Sequence, residues 1–459
     1  MVNVPRLIIA APASGQGKTS VTAGLLAALG SQGLAVSPHK VGPDYIDPGY
    51  HALAAGRVGR NLDPWLVGEE RIVPLFLHGA RTPAPADIAV IEGVMGLYDG
   101  VADQRGFSST AHVAKLLQAP VLLVVDATAA GRSVAALVHG FASFDRELRI
   151  GGVILNRVGS DRHEQILRDG LAEIGMPVFG AIRRHDALVT PSRHLGLVPA
   201  AERSELARRT VTDLGGVVAA SVDLAAVVAL ARRAPPLAGD AWSPTVAEPA
   251  GDRPVVAIAA GPAFTFSYAE TSEMLTAAGA EVQRFDPTVD EELPYGTRGI
   301  VIGGGFPEVH AAALSANEPL RRDISQRIGQ GAAVAAECAG LLYLAHTLDG
   351  APMCDVIATD ASMTPRLTIG YRDALARTSS VLAEAGTRVR GHEFHRTACA
   401  PAASTAPAWS WDAGGQEVVE GHVQRQLHAS YLHLHWAGLP NAATRFVSAA
   451  ARVELASSR

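Results

Sequence analysis

An unbroken apolar run, Leu7–Ala11, leads directly into Pro12-Ala13-Ser14-Gly15-Gln16-Gly17-Lys18-Thr19 and then into a helical pattern, Val21–Leu29. Strand, glycine loop and helix in that order make a phosphate-binding signature. No other feature constrains the fold as much, because such a loop works only where a buried strand ends against a helix N-terminus. Gly15 and Gly17 let backbone N–H groups approach phosphate oxygens, Lys18 supplies a positive charge, and Thr19 offers a hydroxyl to Mg2+. The strict motif is broken at one position, where Pro12 replaces glycine.

The rest of the N-terminal part repeats the rhythm that the loop demands. Ile88–Ile91, Val121–Val125 and Gly152–Leu155 read as buried strands, separated by longer Ala- and Leu-rich stretches such as Ala111–Leu117. Continuous rather than alternating apolar strands predict a parallel, doubly wound α/β sheet covered on both faces. Val255–Ala260, Gly299–Ile302 and Ala332–Ala336 continue the theme further on. Between the halves, residues 233–254 contain five prolines and no apolar period, which predicts a linker between domains at 1–232 and 255–459. A length of 459 residues agrees with more than one domain.

Composition excludes several classes. A hydrophobic share of 48% rules out whole-chain disorder, and a net charge of −6 disfavours nonspecific nucleic-acid binding. Three cysteines, none spaced as CxxC, exclude a disulfide framework and argue against a structural zinc site. No apolar run approaches the ~20 residues that span a bilayer. The expectation is a cytoplasmic protein with no membrane or nucleic-acid partner.

Mg2+ at a phosphate loop needs oxygen ligands, and carboxylates at strand ends supply them. Glu92 ends the strand Ile88–Ile91, and Lys40, Asp44 and Asp47 cluster in a proline-stiffened loop after the strand Leu34–Ser37, with Asp47 the better ligand candidate. Asn156-Arg157 follows Gly152–Leu155 and suits contact with a nucleotide base. Arg183, Arg184, Arg193 and His194 form a basic cluster able to hold an anion.

The C-terminal half carries a different chemistry. Cys338 sits at a strand-to-helix turn, Glu337-Cys338-Ala339-Gly340, where a helix N-terminus favours the thiolate. Gly303-Gly304-Gly305 suits a backbone oxyanion hole, and a cysteine nucleophile needs a base, for which His433 and His435 are candidates that spacing cannot separate. Gly391-His392-Glu393-Phe394-His395 adds further polar groups. Cys354 and Cys399 lack such surroundings and read as packing residues.

Together APASGQGKTS, KVGPDYIDPGYHALAAGR, NLDPWL, VIEGVMGLYDG, STAHVAKLL, GVILNRVGS, RHLGLV, GGGFPE, AECAGLLYL, GHEFH and SYLHLHW run through essentially the whole chain. The chain resembles the cobyrinic or hydrogenobyrinic acid a,c-diamide synthases, glutamine-dependent enzymes of cobalamin biosynthesis. KVGPDYIDPGYH and EGVMGLYDG are the specific segments; the phosphate loop is shared by many nucleotide enzymes. The resemblance implies an N-terminal ATP-binding amidoligase domain similar in fold to dethiobiotin synthetase and a C-terminal class I glutamine amidotransferase domain. It makes Cys338 the nucleophile and His433 the base. It makes Thr19, Asp47 and Glu92 the Mg2+ sphere, with Asp44 a candidate partner, beside the nucleotide-site candidates Gly15, Gly17, Lys18, Thr19, Lys40 and Asn156. The implied substrates are ATP, glutamine and a corrinoid polycarboxylate, with a homodimer as the candidate assembly. Two departures stand out. Ala336 replaces the first glycine of Gly-x-Cys-x-Gly, and the usual His-Pro-Glu reads His433-Leu434-His435, so the third triad carboxylate is absent from its place, with Glu393 a weak substitute. Rival readings are a cobyric acid synthase acting on other side chains of the ring, and a nucleotide-dependent switch or partitioning protein that would use only the phosphate loop.

Overall fold

The computed structural model describes residues 1–184, 192–193, 196–197, 204–244 and 252–453. The chain divides into two compact units, Met1–Ser243 and Pro244–Arg459.

The first unit is built on seven strands: β1 (Arg6–Ala10), β2 (Val36–Val41), β3 (Arg60–Leu62), β4 (Ile88–Glu92), β5 (Val121–Asp126), β6 (Ile150–Val158) and β7 (Val178–Arg183). They lie in the order β3-β2-β4-β1-β5-β6-β7, and every pairing is parallel. Helices α1 (Lys18–Ser31) and α2 (Asp47–Ala55) follow β1 and β2. The central strands are buried on both faces: Leu7, Ile9, Val90, Leu122 and Val124 join Leu25 and Leu26 of α1 in one core cluster. That explains their unbroken apolar character. The strand order reverses around β1, so the crevice at its carboxyl end is where this topology places a ligand.

Lys40 lies on a strand, not in the loop that the sequence suggested. β2 runs to Val41, because its parallel register beside β4 aligns Lys40 with Glu92. Residues 233–243 of the segment read as a linker pack on the first unit. Leu237 is buried and exchanges two backbone hydrogen bonds with Val2, and Trp242 donates its N–H to Pro74 and sets its ring edge-on to His78 at 5.2 Å. Apolar side chains spaced along a proline-rich segment are enough to hold it down.

The second unit has two sheets. One holds Glu281–Phe285, Val255–Ala259, Thr297–Ile302, Ala333–Glu337, Leu427–Ser430 and His422–Gln424 in that spatial order; all pairings are parallel except the last. The other is organised by a long antiparallel pair, Ile357–Ala376 with Arg388–Ala400, and His433–Leu434 pairs with the latter. The chain therefore leaves the first sheet at Ser430 and enters the second at His433. This crossing puts the histidine segment at the seam between the sheets.

Candidate active sites

In the first unit, the loop after β1 is held by its own backbone geometry and by β6. Gly17 has φ 92°, a left-handed conformation that L side chains adopt with strain, and a Cβ there would lie 2.2 Å from Asn156 Nδ2. Asn156 Nδ2 donates to the Gln16 carbonyl at 2.9 Å, and the Asp126 N–H donates to Gln16 Oε1 at 2.8 Å. Arg157 donates to the Gly15 carbonyl and pairs with Asp126. Asn156 thus braces the loop from the β6 side. Lys18 Nζ donates to the carbonyls of Met95 at 2.5 Å and Ala13 at 3.2 Å, which ties the loop to the turn after β4. Burial, then the neighbouring Lys40, lower the Lys18 ammonium to about 8.

Next to the loop lies a buried charge cluster. Thr19 Oγ1 donates to Glu92 Oε1 at 2.7 Å and to Asp47 Oδ2 at 3.3 Å. Lys40 Nζ bonds Asp47 at 2.6 Å and Glu92 at 2.9 Å, and His51 Nε2 reaches the other Glu92 oxygen at 2.6 Å. Burial disfavours charge on Glu92, but Lys40 and His51 outweigh it and hold the carboxyl far below its usual range. Asp47 goes the other way: burial and the adjacent Asp44 push it up to about 7 against the pull of Lys40. Lys40 is held firmly charged, since Asp47 and Glu92 outweigh its own burial. Asp44 does not join the cluster through Oδ1, which accepts the N–H groups of Ile46 and Asp47 and so shapes the start of α2. His51 was missed in the sequence, although its position four residues after Asp47 on α2 puts both on one helix face. Among the described residues no three His, Cys, Asp or Glu side chains form a metal cluster. The oxygen set of Thr19, Asp47 and Glu92 nevertheless fits Mg2+, which keeps several waters and takes further oxygens from phosphates.

The basic cluster proposed for an anion is partly used up within the fold. Arg183 pairs with Asp161 at 2.5 Å and Glu164 at 2.8 Å on the neighbouring helix Asp161–Glu173. The side chain of Arg193 and all of His194 lie outside the described residues.

In the second unit, Cys338 joins the strand Ala333–Glu337 to the helix Ala339–Leu344 with φ 50° and ψ −102°. A non-glycine residue held at positive φ on a sharp strand-to-helix turn is the geometry of a nucleophile elbow, here with the thiol buried. Its N–H donates to the Ser430 carbonyl at 2.8 Å, and Sγ lies 3.9 Å from the Phe394 carbonyl. The expected thiolate is not favoured here. Burial, then the carboxylates of Glu308, Glu337 and Glu393, drive the thiol well above its usual range, and the six-residue helix cannot offset them. The candidate base is neutral too: burial, with His392 and His395 nearby, lowers His433 to about 3.

His433 and His435 part company in the fold. The two rings meet different residues. His433 sits over the glycine segment, where a Cβ on Gly304 would lie 2.4 Å from its Cε1, and it aligns with His392 across the strand pair. His435 stacks on Tyr268 at 4.3 Å and faces Glu270 at 3.6 Å. Gly303 also bears on the nucleophile, since its carbonyl accepts the Gly340 N–H. The Gly304 N–H is not free for an oxyanion, because it bonds the Phe266 carbonyl at 3.2 Å. Glu393 is engaged by Arg372 at 2.6 Å and by His395 at 3.5 Å.

A strained cysteine that follows Glu337 and a buried histidine that faces the same Glu337, with a separate phosphate loop, fit a glutamine-hydrolysing ligase. The family described as CobQ/CobB/MinD/ParA nucleotide binding domain matches residues 7–198. The family described as CobB/CobQ-like glutamine amidotransferase domain matches residues 255–440. The hydrogenobyrinate a,c-diamide synthase of Streptomyces coelicolor is 58% identical over 97% of this chain and 97% of its own. The chain belongs to the a,c-diamide synthase family. Another hydrogenobyrinate a,c-diamide synthase, from Thermobifida fusca, is 54% identical with 97% of each chain covered. The cobyrinate a,c-diamide synthase of a Synechococcus species is 42% identical over 96% of this chain and 98% of its own. Membership makes the chain a glutamine-hydrolysing carbon–nitrogen ligase with an ATP-binding half and an amidotransferase half. The switch-protein reading falls, since it leaves the second unit without a role. No described helix is long and apolar enough to cross a membrane.

Proposed function

We propose that this chain uses ATP and glutamine to amidate the a and c side-chain carboxylates of a corrinoid, hydrogenobyrinic acid in preference to its cobalt-containing counterpart. The full-length relation to hydrogenobyrinate a,c-diamide synthases carries the reading, and the gap between 58% and 42% identity supports the metal-free ring. A cobyric acid synthase would act on other side chains of the same ring; the Streptomyces coelicolor and Thermobifida fusca a,c enzymes match 97% of this chain.

A carboxylate does not react with ammonia directly, because the leaving group would be oxide. A substrate carboxylate oxygen attacks the γ-phosphorus of ATP, ADP leaves, and an acyl phosphate forms. Gly15, Gly17, Lys18 and Thr19 would cradle the phosphates, a reading supported by the way Asn156 braces the loop. Thr19, Asp47 and Glu92 would hold Mg2+, which neutralises charge on the transferring group when bound. Lys40 fixes the two carboxylates relative to each other. In the other unit, Cys338 sulfur attacks the side-chain amide carbon of glutamine while its proton passes to His433. The imidazolium returns the proton to the leaving nitrogen, ammonia departs, and water hydrolyses the thioester to glutamate. Ammonia nitrogen then attacks the acyl phosphate carbon and expels phosphate. Burial keeps the Cys338 thiol and the His433 imidazole neutral before glutamine binds, which opposes proton transfer in advance, so the transfer must accompany the attack on the amide carbon.

The test offers purified protein both rings with ATP, Mg2+ and glutamine and follows amidation by mass. Two successive amidations of the metal-free ring are expected. Faster diamide formation on the cobalt ring would overturn the substrate assignment, and no amidation of either ring would overturn the function.

A further inference from the structure

The sequence leaves the histidine base without the carboxylate that follows it in the wider amidotransferase pattern, because position 435 is histidine. In the fold a different carboxylate reaches His433. Glu337 immediately precedes the nucleophile, and its Oε2 lies 3.9 Å from His433 Nδ1. Its side chain also accepts hydrogen bonds from the Leu434 backbone and the Trp436 indole, one and three residues after His433. Its other oxygen, Oε1, is buried with no hydrogen-bond partner among the described residues. One carboxyl at the end of the strand that leads to the nucleophile therefore contacts His433 and the two residues 434 and 436 that follow it.

We propose that Glu337 is the positioning residue for His433, turning the imidazole through Nδ1 and stabilising the imidazolium as Cys338 reacts. The proposal rests on the glutaminase reading of Cys338 and His433. The 3.9 Å separation is within ion-pair reach but too long for a hydrogen bond, and such contacts often tighten only in the substrate complex. When the Cys338 proton passes to one ring nitrogen, the other carries N–H toward Glu337, so a carboxylate there gains interaction only as charge develops.

Burial pushes the Glu337 carboxyl up to about 8. Facing His433 are Glu337 from the strand Ala333–Glu337 and His392 and His395 from the strand Arg388–Ala400. His392 is lowered to about 4, mainly by burial, and the Cys338 thiol is raised beyond the alkaline range. Glu393, beside His395, is held below its usual value despite burial. None of these three titrates between pH 7 and 9. The carboxylate of Glu337 is the helpful form, and it is present above its pKa and lost below it. Its contribution to turnover should grow as pH rises through about 8.

The test measures glutaminase kcat and KM of the full-length Glu337→Gln variant against the unmodified chain from pH 7 to 9. Glutamine at this position keeps an acceptor for Leu434 and Trp436 but cannot become negative. Expected is a kcat loss of about 10- to 100-fold at pH 9, a glutamine KM within about threefold, and a loss that shrinks toward pH 7. Wild-type kcat throughout, or a deficit that does not change with pH, would overturn the proposal. If thermal melting shows that the variant is unfolded, Glu337→Asp replaces it. A positioning carboxylate predicts that Asp retains activity rising with pH, and a folded but inactive Asp variant with a flat profile overturns the idea. An unmodified chain with no glutaminase activity at all would instead refute the functional reading beneath it.

Discussion

Glu92 is the residue on which the phosphate-side cluster converges, and replacing it by glutamine tests that cluster most sharply. Its carboxylate takes Thr19, Lys40 and His51 within 2.9 Å and is fully buried. At an effective dielectric near 20, the attraction to Lys40 at 2.9 Å is about 6 kcal/mol before desolvation is subtracted. Stripping a buried ion of its sole partner typically costs ~3–5 kcal/mol. Here Asp47 remains on Lys40 at 2.6 Å, so Glu92→Gln should cost only ~1–3 kcal/mol of stability and leave a folded protein. The catalytic loss should be larger. Removing a fixed charge at the phosphoryl site is expected to lower kcat by about 10²–10³, or ~3–4 kcal/mol of barrier. The assay is ammonia-supported diamide formation at saturating ATP across a Mg2+ titration, with glutaminase followed in parallel as a control on the other unit. Turnover within threefold of the unmodified chain, at ordinary Mg2+, would remove Glu92 from the metal and phosphate site. An equal loss of glutaminase would show that the variant acts by general damage.

Other variants separate the two halves. Cys338→Ala removes the nucleophile and little volume, so diamide formation from glutamine should disappear while formation from free ammonia persists and strengthens toward alkaline pH; product from glutamine alone, with ammonia removed, would refute the nucleophile assignment. Lys18→Ala should abolish amidation from either nitrogen source and spare glutaminase, whereas a wild-type rate of diamide formation would refute the phosphate-loop assignment. In Gly304→Ala a Cβ would lie 2.4 Å from His433 Cε1, so the ring must move and glutaminase kcat should drop at least about tenfold. Unchanged glutaminase in a folded Gly304→Ala protein would place the working histidine elsewhere.

The phosphate loop was legible because its function is local: the strand, Gly15, Gly17, Lys18 and Thr19 act through adjoining backbone and one helix start. The α/β class was legible for a related reason, since strands buried on both faces must be apolar throughout. Cys338 could be picked out because its turn is also local, but its protonation could not. The carboxylates that disfavour its thiolate come from Glu308, Glu337 and Glu393, of which only Glu337 is its neighbour in the chain.

What the amino-acid order alone determined is thus the set of elements and the chemistry carried by short contiguous motifs. Tertiary structure decided which distant groups meet. Parallel register set Lys40 beside Glu92, and helix α2 brought His51 to the same carboxylate, across residues far apart in sequence. His433 and His435 met different neighbours, Gly304 and Tyr268, a choice that a spacing of two could not express. The carboxylate absent from its expected place after His433 has a counterpart in Glu337, delivered by the packing of one strand end against another. Propensity and periodicity act over a few residues, whereas these contacts depend on sheet order and register. They take definite form only once the apolar faces are buried and the strands locked together.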